Sequence, residues 1–174
     1  FAKGVVEMTE KNMNKSKIFL GIDPGFGRTG FGVIKLEKGQ LCILDYGCIT
    51  TKSKTDLSKR LVEIYSDLVS IIKKHKPDAV CIEKLFFSKN VKTAIDVGHA
   101  RGVVLLVSEM NHVPIIEITP TALKTAIVGY GRADKKQMQE MIKRMFKLKK
   151  IPKPDDAADA LALATYAALV KTGR

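Results

Sequence analysis

The sequence predicts an α/β fold, a five-stranded mixed sheet with helices on both faces. Three observations predict it. Two short apolar runs, KIFLGIDPG at 17–25 and DAVCIE at 78–83, each carry an acid where the run ends. Runs so short and apolar suit strands buried on both faces, which is the pattern of parallel sheets. Between them, residues 31–50 read as strands joined by short turns, and from residue 57 helical and strand patterns alternate. A meander followed by helix-linked strands gives a mixed sheet with layered helices.

In chain order, the first strand ends at Asp23. Open α/β sheets bind ligands outside the carboxyl ends of their strands, so Asp23 is placed to hold a metal ion. It equally suits the opening of a turn with Pro24-Gly25. Glycines 25, 27, 30 and 32 surround Arg28-Thr29, and the chain is read as turning there. Phe31–Glu37 is the second strand, Lys38-Gly39-Gln40 a hairpin turn and Leu41–Thr50 the third strand. After a polar linker, Leu57, Leu61, Ile64, Leu68, Ile71 and Ile72 recur at helical spacing. Lys73-Lys74-His75-Lys76 occupies the last turn, favourable for the helix dipole, and Pro77 stops the helix. His75 is read as a dipole partner rather than a ligand.

Asp78–Glu83 is the fourth strand, reached by a right-handed crossover to a parallel neighbour. Val91–Met110 is a helix carrying Ala94, Gly98 and Gly102 at i, i+4 and i+8. Each helical glycine costs about 1 kcal/mol relative to alanine, which close approach of another helix would offset; packing on the protein's own sheet is the alternative. Val113–Ile118 is the fifth strand, Thr119-Pro120 opens a short helix, Ala133–Phe146 is a helix, and Asp156–Val170 is the last one. Residues 1–16 form a polar leader, expected to be disordered, and 17–174 form a single domain. The chain opens on Phe1 rather than Met, and the leader has no apolar core of a signal peptide.

Charge narrows the function. Lys and Arg number 30 against 18 Asp and Glu, a formal net charge of +12, which points to a polyanionic partner. Nine of the basic residues crowd into 132–153 against only Asp134 and Glu140. That run is either a solvated face or a wall for a nucleic acid backbone; its position just before an acidic pair favours the wall. Cys42, Cys48 and Cys81 show no CxxC spacing. Cys42 and Cys81 are read as core residues, and the set suits a reducing cytoplasm without structural zinc. No apolar run reaches the length of a membrane span.

The strongest local signal is DAADALALA from Asp156. Asp156 and Asp159 share one helix face at i, i+3. The helix dipole alone would stabilise them, with Asp155 as the cap. Their alanine and leucine neighbours, however, are core composition, which would carry both acids inward. Converging carboxylates repel unless a cation joins them. Oxygen-only ligands suit Mg²⁺ or Mn²⁺, and such a site in a basic protein fits two-metal phosphodiester hydrolysis, the ions roughly 3.5–4 Å apart.

The order of elements resembles the ribonuclease H-like fold. The resemblance implies that the first and fourth strands are parallel neighbours, with Asp23 and Glu83 side by side. GIDPGFGRTGFGVI, IEKLFFSKN, ARGV, GYGRADKKQMQ and PDDAADALALA, in that order, together resemble the RuvC-type Holliday junction resolvases from about Ile18 to Leu169. What that implies is concrete. Asp23, Glu83, Asp156 and Asp159 are the four catalytic, metal-binding acids, with two Mg²⁺ per subunit and Mn²⁺ able to substitute. Lys124 and Lys135 are basic residues of catalysis or scissile-strand binding, with Lys136 the adjacent candidate. Phe86, or its neighbour Phe87, stacks near the junction crossover. Lys89, Arg101, Lys136, Lys149, Lys150 and Lys153 are expected DNA contacts.

The resemblance further implies a cytoplasmic homodimer acting on four-way DNA junctions in recombination and repair, with RuvA and RuvB as partners. Cleavage would leave a 5′-phosphate and a 3′-hydroxyl. The Ala94/Gly98/Gly102 helix is the candidate dimer contact. A YqgF-type nuclease acting on RNA is the alternative, sharing the acids but not the full IEKLFF…ARGV pattern. An actin-like ATPase would explain GIDPG, but it needs a second phosphate loop and a far longer chain.

Overall fold

The computed structural model describes residues 16–84 and 91–171; the expected leader lies almost wholly outside them. The elements are β1 (Lys17–Asp23), β2 (Arg28–Glu37), β3 (Gln40–Thr50), α1 (Leu57–His75), β4 (Ala79–Glu83), α2 (Val91–Met110), β5 (Ile115–Ile118), α3 (Pro120–Val128), α4 (Lys135–Met145) and α5 (Asp155–Lys171). The sheet runs β3-β2-β1-β4-β5. β1, β2 and β3 form the antiparallel meander, while β1–β4 and β4–β5 are parallel. The expected mixed sheet is therefore the observed one.

Each face of the sheet carries its own core. Leu20, Ile22, Val33, Val80 and Ile82 pack beneath α1 and α2, through Ile64, Leu68, Ala100, Val104 and Val107. Phe19, Ile34, Ala79, Cys81 and Ile118 face α3, α4 and α5. The alternation Phe19/Leu20 across β1 is the strand period of two, with both phases apolar because both faces are covered.

α1 ends at Lys76, whose φ of 48° puts it in the left-handed region, and its N–H closes on the Ile72 carbonyl. Termination is thus built one residue ahead of Pro77. Asp45 on β3 receives Lys74 Nζ at 2.7 Å and lies 3.0 Å from His75 Nε2, so His75 ties the helix end to the sheet edge and is not grouped with the carboxylates. Asp78 clamps the start of β4: its carboxylate accepts from the Ile18 N–H at 2.8 Å, and its own N–H donates to the Ile18 carbonyl at 2.7 Å.

Three details depart from the sequence reading. β2 begins at Arg28, so Gly30 and Gly32 lie inside a strand rather than in the turn after Asp23. Cys42 is exposed, because β3 is an edge strand; Cys81 is buried. Asp155 is the first residue of α5 rather than its cap. Among the described residues, no helix is long and apolar enough to cross a membrane.

Candidate active site

The site is assembled where three elements end or begin. β1 and β4 run parallel with Ile22 beside Ile82, so Asp23 and Glu83 leave the sheet at the same edge, one residue later. α5 then lies directly on β1 and β2. A Cβ at Gly21 would overlap the Ala160 carbonyl and the Ala164 amide, one at Gly30 would overlap the Asp156 carbonyl, and one at Gly32 would stand 2.8 Å from Leu161 Cα. Glycine in a strand interior often marks close approach of another backbone, and here it does so three times. Alanines 157, 158, 160, 162 and 164 keep the helix side of the contact equally thin. The result delivers the first turns of α5, and with them Asp156 and Asp159, to the end of β1.

Asp23, Glu83, Asp159, Lys124 and Lys135 line one cavity of about 210 Å³ together with Pro120, Leu123 and Met138. α3 supplies Lys124; its N-cap is Thr119, whose hydroxyl accepts from the Ala122 N–H at 3.2 Å. α4 supplies Lys135 at its first position, set by a capping box between Asp134 and Gln137, with both hydrogen bonds at 2.8 Å. Lys135 Nζ lies 2.6 Å from Asp155 Oδ2 and 2.9 Å from Asp159 Oδ2.

Asp156 is not among the cavity's lining residues. It pairs with Arg28, whose Nε is 3.2 Å from Asp156 Oδ2, yet that buried oxygen accepts no hydrogen bond. As placed, no three His, Cys, Asp or Glu side chains among the described residues are grouped closely enough to hold an ion. Two of the four acids are instead engaged by cationic side chains.

Burial and crowding disturb the carboxyls. Asp23 is pushed up to about 7, first by burial and then by Asp159, Asp156 and Glu83, with Lys135 opposing. Glu83 is raised by burial and by Asp159, against Lys124. Asp159 is raised by burial, against its hydrogen bond from Lys135. Asp155, half-buried, is instead lowered by the Lys135 hydrogen bond. A crowded set of acids in which Asp23 is pushed up to about 7, together with an unsatisfied buried carboxylate oxygen on Asp156, calls for positive charge. All the donors are oxygens, so the residues fit Mg²⁺ or Mn²⁺ rather than Zn²⁺.

A family model described as crossover junction endodeoxyribonuclease RuvC matches residues 19–166. The chain belongs to that family. It is 51% identical over 147 residues to the crossover junction endodeoxyribonuclease RuvC of Ruminiclostridium cellulolyticum, covering 84% of this chain and 89% of that one. It is 53% identical over 146 residues to the RuvC of Caldicellulosiruptor saccharolyticus, covering 83% and 88%. A T. thermophilus RuvC solved in complex with a Holliday junction substrate superposes with a TM-score of 0.82 at 29% identity, over 90% of this chain and 97% of that one. The family is thus the endodeoxyribonuclease one and not the RNA-acting YqgF type.

Within this RuvC-family fold the other expected residues fall as follows. Lys136, Lys149, Lys150 and Lys153 are exposed. Arg101 is turned into an ion pair with Glu117 of β5 at 2.9 Å. Phe86, its neighbour Phe87, and Lys89 lie outside the described residues.

Arg28 and Arg60 have roles that no sequence signal marks, and Asp155, expected as a cap, has another. Arg28 neutralises Asp156. Arg60 of α1 is buried, with its guanidinium 4.2 Å above the Phe26 ring; its Nε donates to Thr51 Oγ1 at 2.8 Å and its Nη2 to the Phe26 carbonyl at 3.0 Å. It braces the loop that follows Asp23. Asp155 holds Lys135. The i, i+4 spacing of Asp155 and Asp159 was visible, but nothing in the sequence says that a lysine twenty residues earlier lies between them.

Proposed function

We propose that this chain resolves four-way DNA junctions by hydrolysing phosphodiesters at the Asp23/Glu83/Asp156/Asp159 cluster, with two Mg²⁺ per subunit. The observation that carries this reading is one cavity in which three of these acids, each raised in pKa first by burial, face Lys124 and Lys135 in a RuvC-family chain. The T. thermophilus relative solved with a Holliday junction substrate supports the choice of DNA. The bound ions would supply an activated water and charge stabilisation at the leaving oxygen.

The chain's own residues have separable tasks. Asp23 and Glu83, on rigid strand ends, and Asp156 and Asp159, on α5, would hold the ions. Lys124 and Lys135 place positive charge at the cavity where a phosphate would sit. Exposed Lys136 on α4, and exposed Lys149, Lys150 and Lys153 just before α5, suit contacts to the DNA backbone, which position the substrate without reading its sequence. Phe86 and Lys89 belong to the same reading as junction contacts. Arg101 enters it only if DNA competes with Glu117 for its guanidinium.

Paired incisions call for two sites of matching polarity, which a two-fold homodimer provides. α2 presents a suitable face. Ala100, Val104 and Val107 point into the protein's own core, while Ile95, Leu106 and Met110 are exposed, and a Cβ at Gly102 would meet nothing within 4 Å. The open side of Gly102 supports a second copy as the partner of this helix face. The RuvA and RuvB branch-migration proteins and a cytoplasmic location complete the proposal.

The test is incubation of the full chain in Mg²⁺ with a synthetic four-way junction, a linear duplex and an RNA–DNA hybrid. Symmetric paired nicks on the junction that a ligase can seal are expected. Equal cutting of linear duplex, or cutting of the hybrid alone, refutes junction resolution.

A further inference from the structure

The bridge made by Lys135 asks for more than a catalytic lysine. Its ammonium touches two carboxylates on successive turns of α5, 2.6 Å from Asp155 and 2.9 Å from Asp159. The two acids differ in setting. Asp159 lines the cavity, whereas Asp155 does not. A carboxylate oxygen cannot serve an ammonium and a divalent cation at full strength together, because the two positive charges repel across it. Any ion that takes Asp159 must therefore displace Lys135 or share with it.

We infer that Asp155 is a positioning residue: it gives Lys135 a second seat at the rim of the cavity, so that Lys135 yields Asp159 to a divalent cation without leaving the site. This deepens the function proposed above and rests on Asp159 being an ion ligand. The geometry favours it in three ways. An ammonium has three donors, so the Asp155 contact needs no rearrangement when the Asp159 contact is given up. Asp155 and Asp159 stand at i, i+4 on one helix face, so the move spans a single turn. Lys135 is anchored by the capping box at the start of α4, so its backbone stays fixed while its flexible stem carries the charge. Without Asp155, Lys135 has only Asp159 to hold and competes for it.

The experiment is a double-mutant cycle on ion affinity, read by calorimetric titration of the full-length protein with MnCl₂ in the absence of DNA. Asp155→Asn is expected to weaken Mn²⁺ binding by about threefold or more, within the range of couplings between residues in contact. In a Lys135→Met background the same substitution should change the affinity by less than about half of that factor, because the competing ammonium is gone. Asp155→Glu, which keeps a carboxylate within reach of Lys135, should restore most of the wild-type affinity. Equal weakening by Asp155→Asn in both backgrounds would make Asp155 a general source of negative charge and overturn the inference. No weakening in the wild-type background overturns it as well. Asp159→Asn separates the two readings: if it leaves Mn²⁺ affinity unchanged, the ligand assignment fails, whereas loss of affinity there with no Asp155–Lys135 coupling sinks only the positioning role.

Discussion

Asp23→Asn should stabilise this protein at alkaline pH in the absence of divalent cations while abolishing cleavage. In the fold, Asp23 is raised from 3.8 to about 7; in the unfolded chain it titrates near the ordinary aspartate value. Between those two values the folded state holds a proton that the unfolded state has released, so stability falls as pH rises. The loss is about 1.4 kcal/mol per pH unit, complete above pH 7, and totals roughly 4 kcal/mol as an upper bound. Asparagine carries no such charge. Its advantage should be about 4 kcal/mol at pH 8 and shrink to about 1.5 kcal/mol at pH 5, where the folded aspartate is already protonated. Urea unfolding in EDTA at the two pH values measures both. Adding Mg²⁺ should stabilise the wild type more than the variant, since an ion that binds only the native state shifts the equilibrium by mass action. An Asp23→Asn protein no more stable than wild type at pH 8, or equally favoured at both pH values, would refute the burial-and-crowding account of this carboxyl.

Glu83→Gln and Asp159→Asn should each remove cleavage by at least about a hundredfold while junction affinity, measured by gel shift, stays within a few fold, because cutting depends on ions and binding on basic contacts; loss of both together would place these acids in DNA binding. Replacing Lys149, Lys150 and Lys153 with glutamine should flatten log K against log salt by about 2–3 units if all three meet phosphates; an unchanged slope puts them off the DNA. Gly21→Val should cost several kcal/mol or prevent folding, since its side chain would drive α5 from the sheet, an overpacking cost at the severe end of the usual range; thermal melting would reveal it, and a wild-type melting point would refute the close contact. Leu106→Glu should yield monomers in sedimentation if the outer face of α2 joins two copies, and a wild-type dimer would dismiss that face.

Much of this protein was written locally. Apolar runs of four and five residues, each closed by an acid, determined that β1 and β4 are buried strands bearing carboxylates at their ends, and helical periodicity determined α1. Hairpin chemistry at Lys38-Gly39-Gln40 determined the pairing of β2 with β3, because so short a reversal leaves the chain little choice. The acid pair of α5 was equally plain, since i and i+3 share a face in any helix. What the tertiary structure alone decided is how these pieces meet. Gly21, Gly30 and Gly32 looked like turn residues or loose strand positions, and only the arrival of an alanine-lined helix shows that they are the floor on which α5 rests. Cys42 looked like core until β3 proved to be an edge. Asp155 looked like a cap until α4 brought Lys135 between it and Asp159, and Arg28 had no evident role until Asp156 arrived beside it. Periodicity reports which face of an element is apolar, but charge pairing depends on distances between elements far apart in the chain, and those distances exist only after packing.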